Sequence, residues 1–287
     1  NPEADMRVTA LIENETSDGC DHLQSEHGLS LHIETAGTTV LFDTGSSGAF
    51  ADNAVALGID LAKVDLAVLS HQHYDHGGGL RRFFDINPDA AVYLRDSAID
   101  DRWFKALVVL KHPIGVDRSM VETFADRFRR VTGPTEVAPG VWLLTEIGED
   151  HPRPKGNRRL FVEHDGVLTP DPFDHELVLV IREDDGIVVF SGCSHNGILN
   201  MVDAARARFP KTPVKAVFGG FHLIGLPKFN TMAASPAEVE SMAREMMTRI
   251  DGAVFTGHCT GAKAYEVLAG VMGDTLRPLA TGASVEV

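Results

Sequence analysis

The chain has 287 residues, 44% of them hydrophobic, which is enough apolar mass for one large core and sets the expectation of a single domain over 1–287. Its 26 Lys and Arg stand against 41 Asp and Glu, a formal charge of −15, and a field of that sign repels phosphate backbones and anionic bilayers, so neither nucleic acid nor a membrane surface is an expected partner. No apolar run approaches the ~20 residues of a membrane span. The three widely spaced cysteines, Cys20, Cys193 and Cys259, do not make a disulfide framework, and a cytoplasmic location is expected.

In chain order, β-branched segments at 29–35 and 38–42 flank Ala36-Gly37 and predict a hairpin. The small residues of Asp43-Thr44-Gly45-Ser46-Ser47-Gly48 follow as a tight turn, with a helix expected at 51–57. The apolar run 64–69 reads as a strand buried on both faces, ending at His71-Gln72-His73-Tyr74-Asp75-His76. Gly77, Gly78 and Gly79 come next, expected to leave room for a substrate, and Leu80, Phe83 and Phe84 then recur at helical spacing. A strand is predicted at 91–94, a helix at 97–110, and short strands at 128–131 and 141–145.

The density of Pro, Gly and charge at about 146–176 predicts a loop-rich excursion near the functional site. Regular structure resumes with a hairpin of 177–181 and 187–190 around Glu183-Asp184-Asp185-Gly186. Helices at 198–208 and 235–250 and strands at 214–218 and 253–256 complete the pattern, with Ser235 as N-cap and Pro236 at the first helical position. VLFDTGSSGAF and VVFSGCSHNGI both run from strand through a small-residue turn to a helix, which suggests two matched halves.

Six histidines, His71, His73, His76, His195, His222 and His258, fall at or just past the C-terminal ends of predicted strands, where the chemistry of α/β proteins gathers. Any one alone reads as a satisfied polar residue. Three histidines and an aspartate within six residues read as metal ligands, since imidazole is a common zinc donor and a carboxylate helps retain a second ion. His71 and His73 are two apart on extended backbone and can point to one side, while Asp75 and His76 enter the turn. His195 and His258 follow apolar strands beside glycine and are the next ligand candidates, whereas His222 and Cys193 are candidates for either a ligand or a substrate contact. Asp43 is placed as an acceptor that orients a ligand histidine. Arg153, Lys155, Arg158 and Arg159 form the dense basic cluster, a candidate anion site that a solvated loop would explain equally. His22, His27, His32, His112, His151, His164 and His175 lack the strand-end context and read as solvated or packed side chains.

HQHYDH, preceded by LFDTG, resembles the HxHxDH signature of the metallo-β-lactamase superfamily, and the likeness runs from Asp43 to the TGHCTG segment. SGCSHNGI, GGFHL and GHCTG are further similar to the branch that holds dihydropteroate-synthase-like enzymes of methanopterin assembly. The resemblance implies an α/β fold, a four-layer αββα sandwich, with two divalent ions, zinc first and manganese or iron as alternatives. It implies His71 and His73 on the first metal, Asp75 and His76 on the second, His258 as the last histidine of the pattern and His195 as the remaining one. FSGC puts Cys193 where the family's FTGD has an aspartate. The implied activity is hydrolysis of a small ester, lactone or phosphoester by a metal-bound hydroxide, with Asp75 orienting the water. The alternatives are a pterin-type synthase or a metal-containing sensor with little turnover. The expected partner is a small molecule, anionic if the basic cluster contributes, and oligomeric state is not readable.

Overall fold

The computed structural model describes residues 6–105, 111–226 and 231–287, which group into two compact units. The first takes residues up to 99, 114–132 and 279–287, and the second 100–113 and 133–278.

The first unit is built on a seven-stranded sheet in the order Ser284–Glu286, Arg7–Ile12, Ser30–Glu34, Thr39–Phe42, Leu66–Val68, Ala91–Arg95 and Phe128–Val131. The expected hairpin forms, with Leu31 opposite Phe42 and Glu34 opposite Thr39. From Thr39–Phe42 onward every pairing is parallel. Leu66–Val68 is buried throughout, as a central parallel strand must be. Helices Ala49–Ala56 and Leu80–Ile86 contribute Phe50, Leu80, Phe83 and Phe84 to a core shared with Val92 and Leu94. Burying a side chain of that size contributes about 1.5–3 kcal/mol.

The second unit carries its own seven-stranded sheet, ordered Leu276–Pro278, Ala253–Thr256, Val214–Phe218, Ile187–Phe190, Val178–Arg182, Val141–Leu144 and Thr135–Ala138. Here too a hairpin, Val178–Arg182 with Ile187–Phe190, opens onto parallel strands. The two quasi-repeat strings therefore occupy the same place in each sheet: last strand of a hairpin, first of a parallel run. Helices Ile198–Arg208, Pro236–Met247 and Ala262–Met272 pack on this sheet through Val202, Val239, Ala243 and Leu268. Ser235 closes a full capping box with Glu238, and Pro236 starts the helix.

One expected element is wrong. The helix at 97–110 is replaced by strand Asp101–Lys105, while 106–110 lie outside the described residues. Strand Asp101–Lys105 joins a four-stranded antiparallel sheet with Lys111–Pro113, Leu160–His164 and Val167–Pro170, placing Phe104 opposite Leu160 and Arg102 opposite Val162. One of its two partners, Leu160–His164, lies far downstream, so local propensity could not register that pairing. The same sheet gives strands to the 146–176 excursion, which the sequence had rendered as loop.

Candidate metal centre

In the first unit the site begins at the ends of adjacent parallel strands. Phe42, Val68 and Tyr93 are in register, and the amides of Asp43 and Leu69 continue the ladder to Val68 O (2.9 Å) and Tyr93 O (2.8 Å). Asp43 then turns with φ +59°, a left-handed conformation that Asp tolerates better than most side chains. That turn aims its buried carboxylate at the next loop. Oδ1 accepts Ser70 N–H (2.7 Å), and Oδ2 accepts the Ser70 hydroxyl (2.7 Å) and lies 2.6 Å from His76 Nδ1. A carboxylate at that distance holds the proton on Nδ1 and leaves His76 Nε2 as the donor nitrogen. Ser70 Oγ also lies 2.9 Å from His71 Nδ1.

The imidazoles so fixed are crowded together. His71 Nε2 is 3.1 Å from His73 Nδ1, and the His71 and His76 ring centroids are 4.2 Å apart. Asp75 Oδ2 stands 3.8 Å from His76 Nε2 and 3.3 Å from His27 Nε2. All four members of the cluster are buried. Backbone bonds from Tyr74 N to Ile114 O (2.8 Å) and Val116 N to Gln72 O (3.1 Å) clamp the turn to the following loop. The glycines serve this packing more than any substrate: a Cβ on Gly78 would lie 2.2 Å from Ser46 O, one on Gly79 2.3 Å from Thr44 O, and one on Gly77 2.6 Å from Val116 Cγ1. A cavity of about 300 Å³ does open beside them, lined by Tyr74, Arg81, Val116, Asp117 and Met120. Burial, Asp75 and Glu26 raise the Tyr74 pKa, so the phenol stays protonated at neutral pH.

In the second unit three parallel strands end on a stacked aromatic ladder. Phe190, Phe218 and Phe255 are in register, with Phe218 5.1 Å from Phe190 and 4.4 Å from Phe255. The loops that follow are bonded to one another, Gly220 N to Gly192 O (2.8 Å), Ser194 Oγ to Gly220 O (2.6 Å), Phe221 N to Thr260 Oγ1 (3.0 Å) and His222 N to Cys259 Sγ (3.3 Å). Only glycine fits at Gly219 and Gly220, where a Cβ would meet Ser191 O at 2.1 Å and Cys259 Sγ at 2.4 Å. Ser194, His222 and His258 have φ of +58°, +48° and +47°, and strained non-glycine backbone of this kind is commonly stored at functional sites.

Cys193, His195 and His222 each offer a ligand atom, and these lie within 4.8 Å of one another. His195 Nδ1 is 3.0 Å from Asn157 Oδ1, the Glu176 carboxylate accepts the amides of His195 (2.8 Å) and Asn196 (2.7 Å), and the Phe173 ring stacks on the imidazole. His258 is buried at the start of the turn after Ala253–Thr256, and Cys259 Sγ approaches Cys193 O at 3.6 Å. None of the three cysteines is in a disulfide. Oriented imidazoles with a carboxylate in one unit, and two imidazoles with a thiol in the other, are donor sets suited to zinc-like divalent metals.

Two of the four residues of the basic cluster are taken up by acidic partners. Arg153 pairs with Glu149 (2.7 Å) and donates to Pro172 O, Lys155 pairs with Glu238, and Arg158 is exposed. That turn's contribution to the site is Asn157, together with Gly156, where a Cβ would sit 3.0 Å from the His222 ring. Sequence reasoning missed Asn157, Glu176, Phe173, Ser70 and the approach of His27 to Asp75. Only the His175-Glu176 pair just before a strand offered any signal. Among the described residues no helix is long and apolar enough to cross a membrane.

A family model described as the metallo-beta-lactamase superfamily matches residues 26–212. The 7,8-dihydropterin-6-methyl-4-(beta-D-ribofuranosyl)-aminobenzene-5'-phosphate synthase of Methanocaldococcus jannaschii is 28% identical over 256 residues, 84% of this chain and 83% of that protein. The crystal structure of Tm1679, described as a metal-dependent hydrolase of the beta-lactamase superfamily, is similar at 31% identity and TM-score 0.81, covering 98% of this chain and 99% of its own. The metallo-beta-lactamase fold protein YhfI from Bacillus subtilis shares the fold at 12% identity and TM-score 0.58, covering 99% and 100%.

Proposed function

The chain belongs to the metallo-β-lactamase superfamily, and from that premise we propose that it is a metal-dependent hydrolase of a small ester, lactone or phosphoester. Two divalent ions, zinc first, are assigned to His71 and His73 and to Asp75 and His76, with His195 and His258 as the remaining ligands and Cys193 and His222 as further candidates. The observation that carries this reading is donor orientation. Asp43 holds His76 Nδ1 and Asn157 faces His195 Nδ1, so each ring has its second nitrogen ready to coordinate. A thiol among the candidate donors favours zinc over magnesium or calcium.

A divalent ion on such donors lowers the pKa of water to about 7 and polarises a carbonyl or phosphoryl oxygen. The chain's own residues do the rest. Asp75, with a carboxylate oxygen near both His76 and His27, is the group to orient the attacking water and receive its proton. Tyr74, protonated and beside the cavity, is a hydrogen-bond donor for substrate. Arg158 and Arg159, on the turn Lys155–Arg159, are the remaining candidates to meet an anionic group.

Metal analysis of protein purified without added metal, followed by chelation and restoration on an ester, lactone and phosphodiester panel, tests the reading. Turnover that survives both chelator and His71→Ala refutes it. A synthase reading is favoured by the name of the 28%-identical relative. Incubation with a pterin diphosphate and an aminobenzene acceptor decides between them, since a condensed product supports the synthase and free pterin alcohol supports the hydrolase. Tight metabolite binding without turnover of either substrate class identifies a sensor.

A further inference from the structure

We propose that Phe173 is the positioning residue of His195, and that the buried Arg102–Asp171 ion pair holds Phe173 in that role. This rests on the reading of His195 as a metal ligand. The Phe173 ring lies parallel to the His195 imidazole, with centroids 4.4 Å apart and planes 9° from parallel. With Asn157 at Nδ1 and Glu176 on the backbone amide, the stack fixes the one remaining freedom, the plane in which His195 Nε2 points. The His222 ring, centroid 4.3 Å away and tilted by 60°, touches the same imidazole.

Phe173 reaches this position at φ +56°, a conformation that a bulky aromatic rarely adopts and that persists only where surrounding bonds over-determine it. Those bonds are present. Asp171 Oδ1 accepts Phe173 N–H (2.8 Å), and Phe173 O accepts Asn196 Nδ2 (3.1 Å) and Glu176 N (3.3 Å). Asp171 Oδ2 accepts Arg102 Nη1 at 2.8 Å, with both side chains almost wholly buried. His175 Nε2 lies 3.4 Å from the same oxygen, but burial and Arg102 push its pKa down, so Arg102 is the cation that balances Asp171. The pair links strand Asp101–Lys105 of the four-stranded sheet to the segment 171–177 that runs from Val167–Pro170 into Val178–Arg182 and carries Phe173. A buried ion pair contributes little net stability compared with apolar residues of equal volume, and registry is its best-attested use.

The test compares Phe173→Leu, Phe173→Tyr, His195→Ala and the double variant Arg102→Met/Asp171→Leu, which removes the pair without stranding a charge. Zinc affinity is measured by chelator competition, and the His195 ring-proton shifts are read in metal-free protein. Phe173→Leu is expected to weaken zinc binding by about 10–100-fold and to move the His195 ring signals downfield as the stacked ring current is lost, while Phe173→Tyr preserves both. The double variant is expected to fold and to reproduce the Phe173→Leu loss. Wild-type affinity in Phe173→Leu overturns the proposal, and wild-type affinity in the double variant overturns the role of the ion pair. If His195→Ala leaves zinc affinity unchanged, the ligand reading itself fails. If His195→Ala weakens binding and Phe173→Leu does not, only the positioning role fails.

Discussion

Replacing Asp43 by Asn isolates the electrostatic part of the first donor set, because Asn keeps the size of the side chain and tolerates the left-handed backbone at φ +59°. The carboxylate accepts Ser70 N–H, Ser70 O–H and His76 Nδ1–H at 2.7, 2.7 and 2.6 Å in a fully buried position. An amide has one acceptor oxygen, so its NH2 must face either Ser70 N–H or His76 Nδ1–H. One charge-assisted bond worth about 1.5–3 kcal/mol is lost, and a buried donor is left without its acceptor, which makes about 3 kcal/mol a fair expectation for metal-free protein. For a chain of this size that lowers the melting midpoint by roughly 6–12 °C. Zinc affinity should fall by about 10–100-fold, since His76 loses both its orientation and the basicity lent by the carboxylate. Thermal unfolding in chelator reads the first effect and competition with a chromogenic chelator the second. An unchanged midpoint together with unchanged affinity would show that Asp43 does not orient His76, and the argument for a prepared donor set would go with it.

Gly78→Ala should reduce stability by about 1–3 kcal/mol or more through overpacking, because the added Cβ meets Ser46 O at 2.2 Å. Gly270→Ala, whose Cβ would meet nothing within 4 Å inside helix Ala262–Met272, should instead stabilise by about 0.5–1 kcal/mol, and urea unfolding of the pair checks both signs. Cys193→Asp should retain metal but move the preference toward manganese, as read by competition between zinc and manganese; an unaltered preference argues that the thiol is not a ligand. Lys155 and Ser235 hold the Glu238 carboxyl down to about 2 from an ordinary 4.5, so its contribution to stability is present above pH 4.5 and is lost as pH falls through about 2. The stability difference between wild type and Glu238→Gln should therefore shrink over that window, and a constant difference refutes the linkage.

The reading of the sequence succeeded where the signal was local. The cluster from His71 to His76 is six residues after one apolar run, and the hairpins ending at Phe42 and Phe190 announce themselves by β-branched strands around short polar turns. It failed where a partner lay far away. Asp101–Lys105 looks helical until Leu160–His164 pairs with it, and only the folded chain shows that two of the four basic residues around Asn157 are paired, Arg153 with Glu149 and Lys155 with Glu238. Gly77 to Gly79 read as room for substrate; Gly77 and Gly78 do line a cavity, and the close approach of Ser46, Thr44 and Val116 is what only the folded chain shows.

The chain's own text thus determined which imidazoles and carboxylates gather at strand ends, because residue type and strand periodicity are properties of neighbouring residues. Tertiary structure decided what holds those donors still. Asp43 reaches His76 across 33 positions and Asn157 reaches His195 across 38, and the Arg102–Asp171 pair spans 69. Such contacts depend on how strands are ordered and which backbone turns go left-handed. Those are outcomes of packing a whole sheet, and no window of sequence contains them.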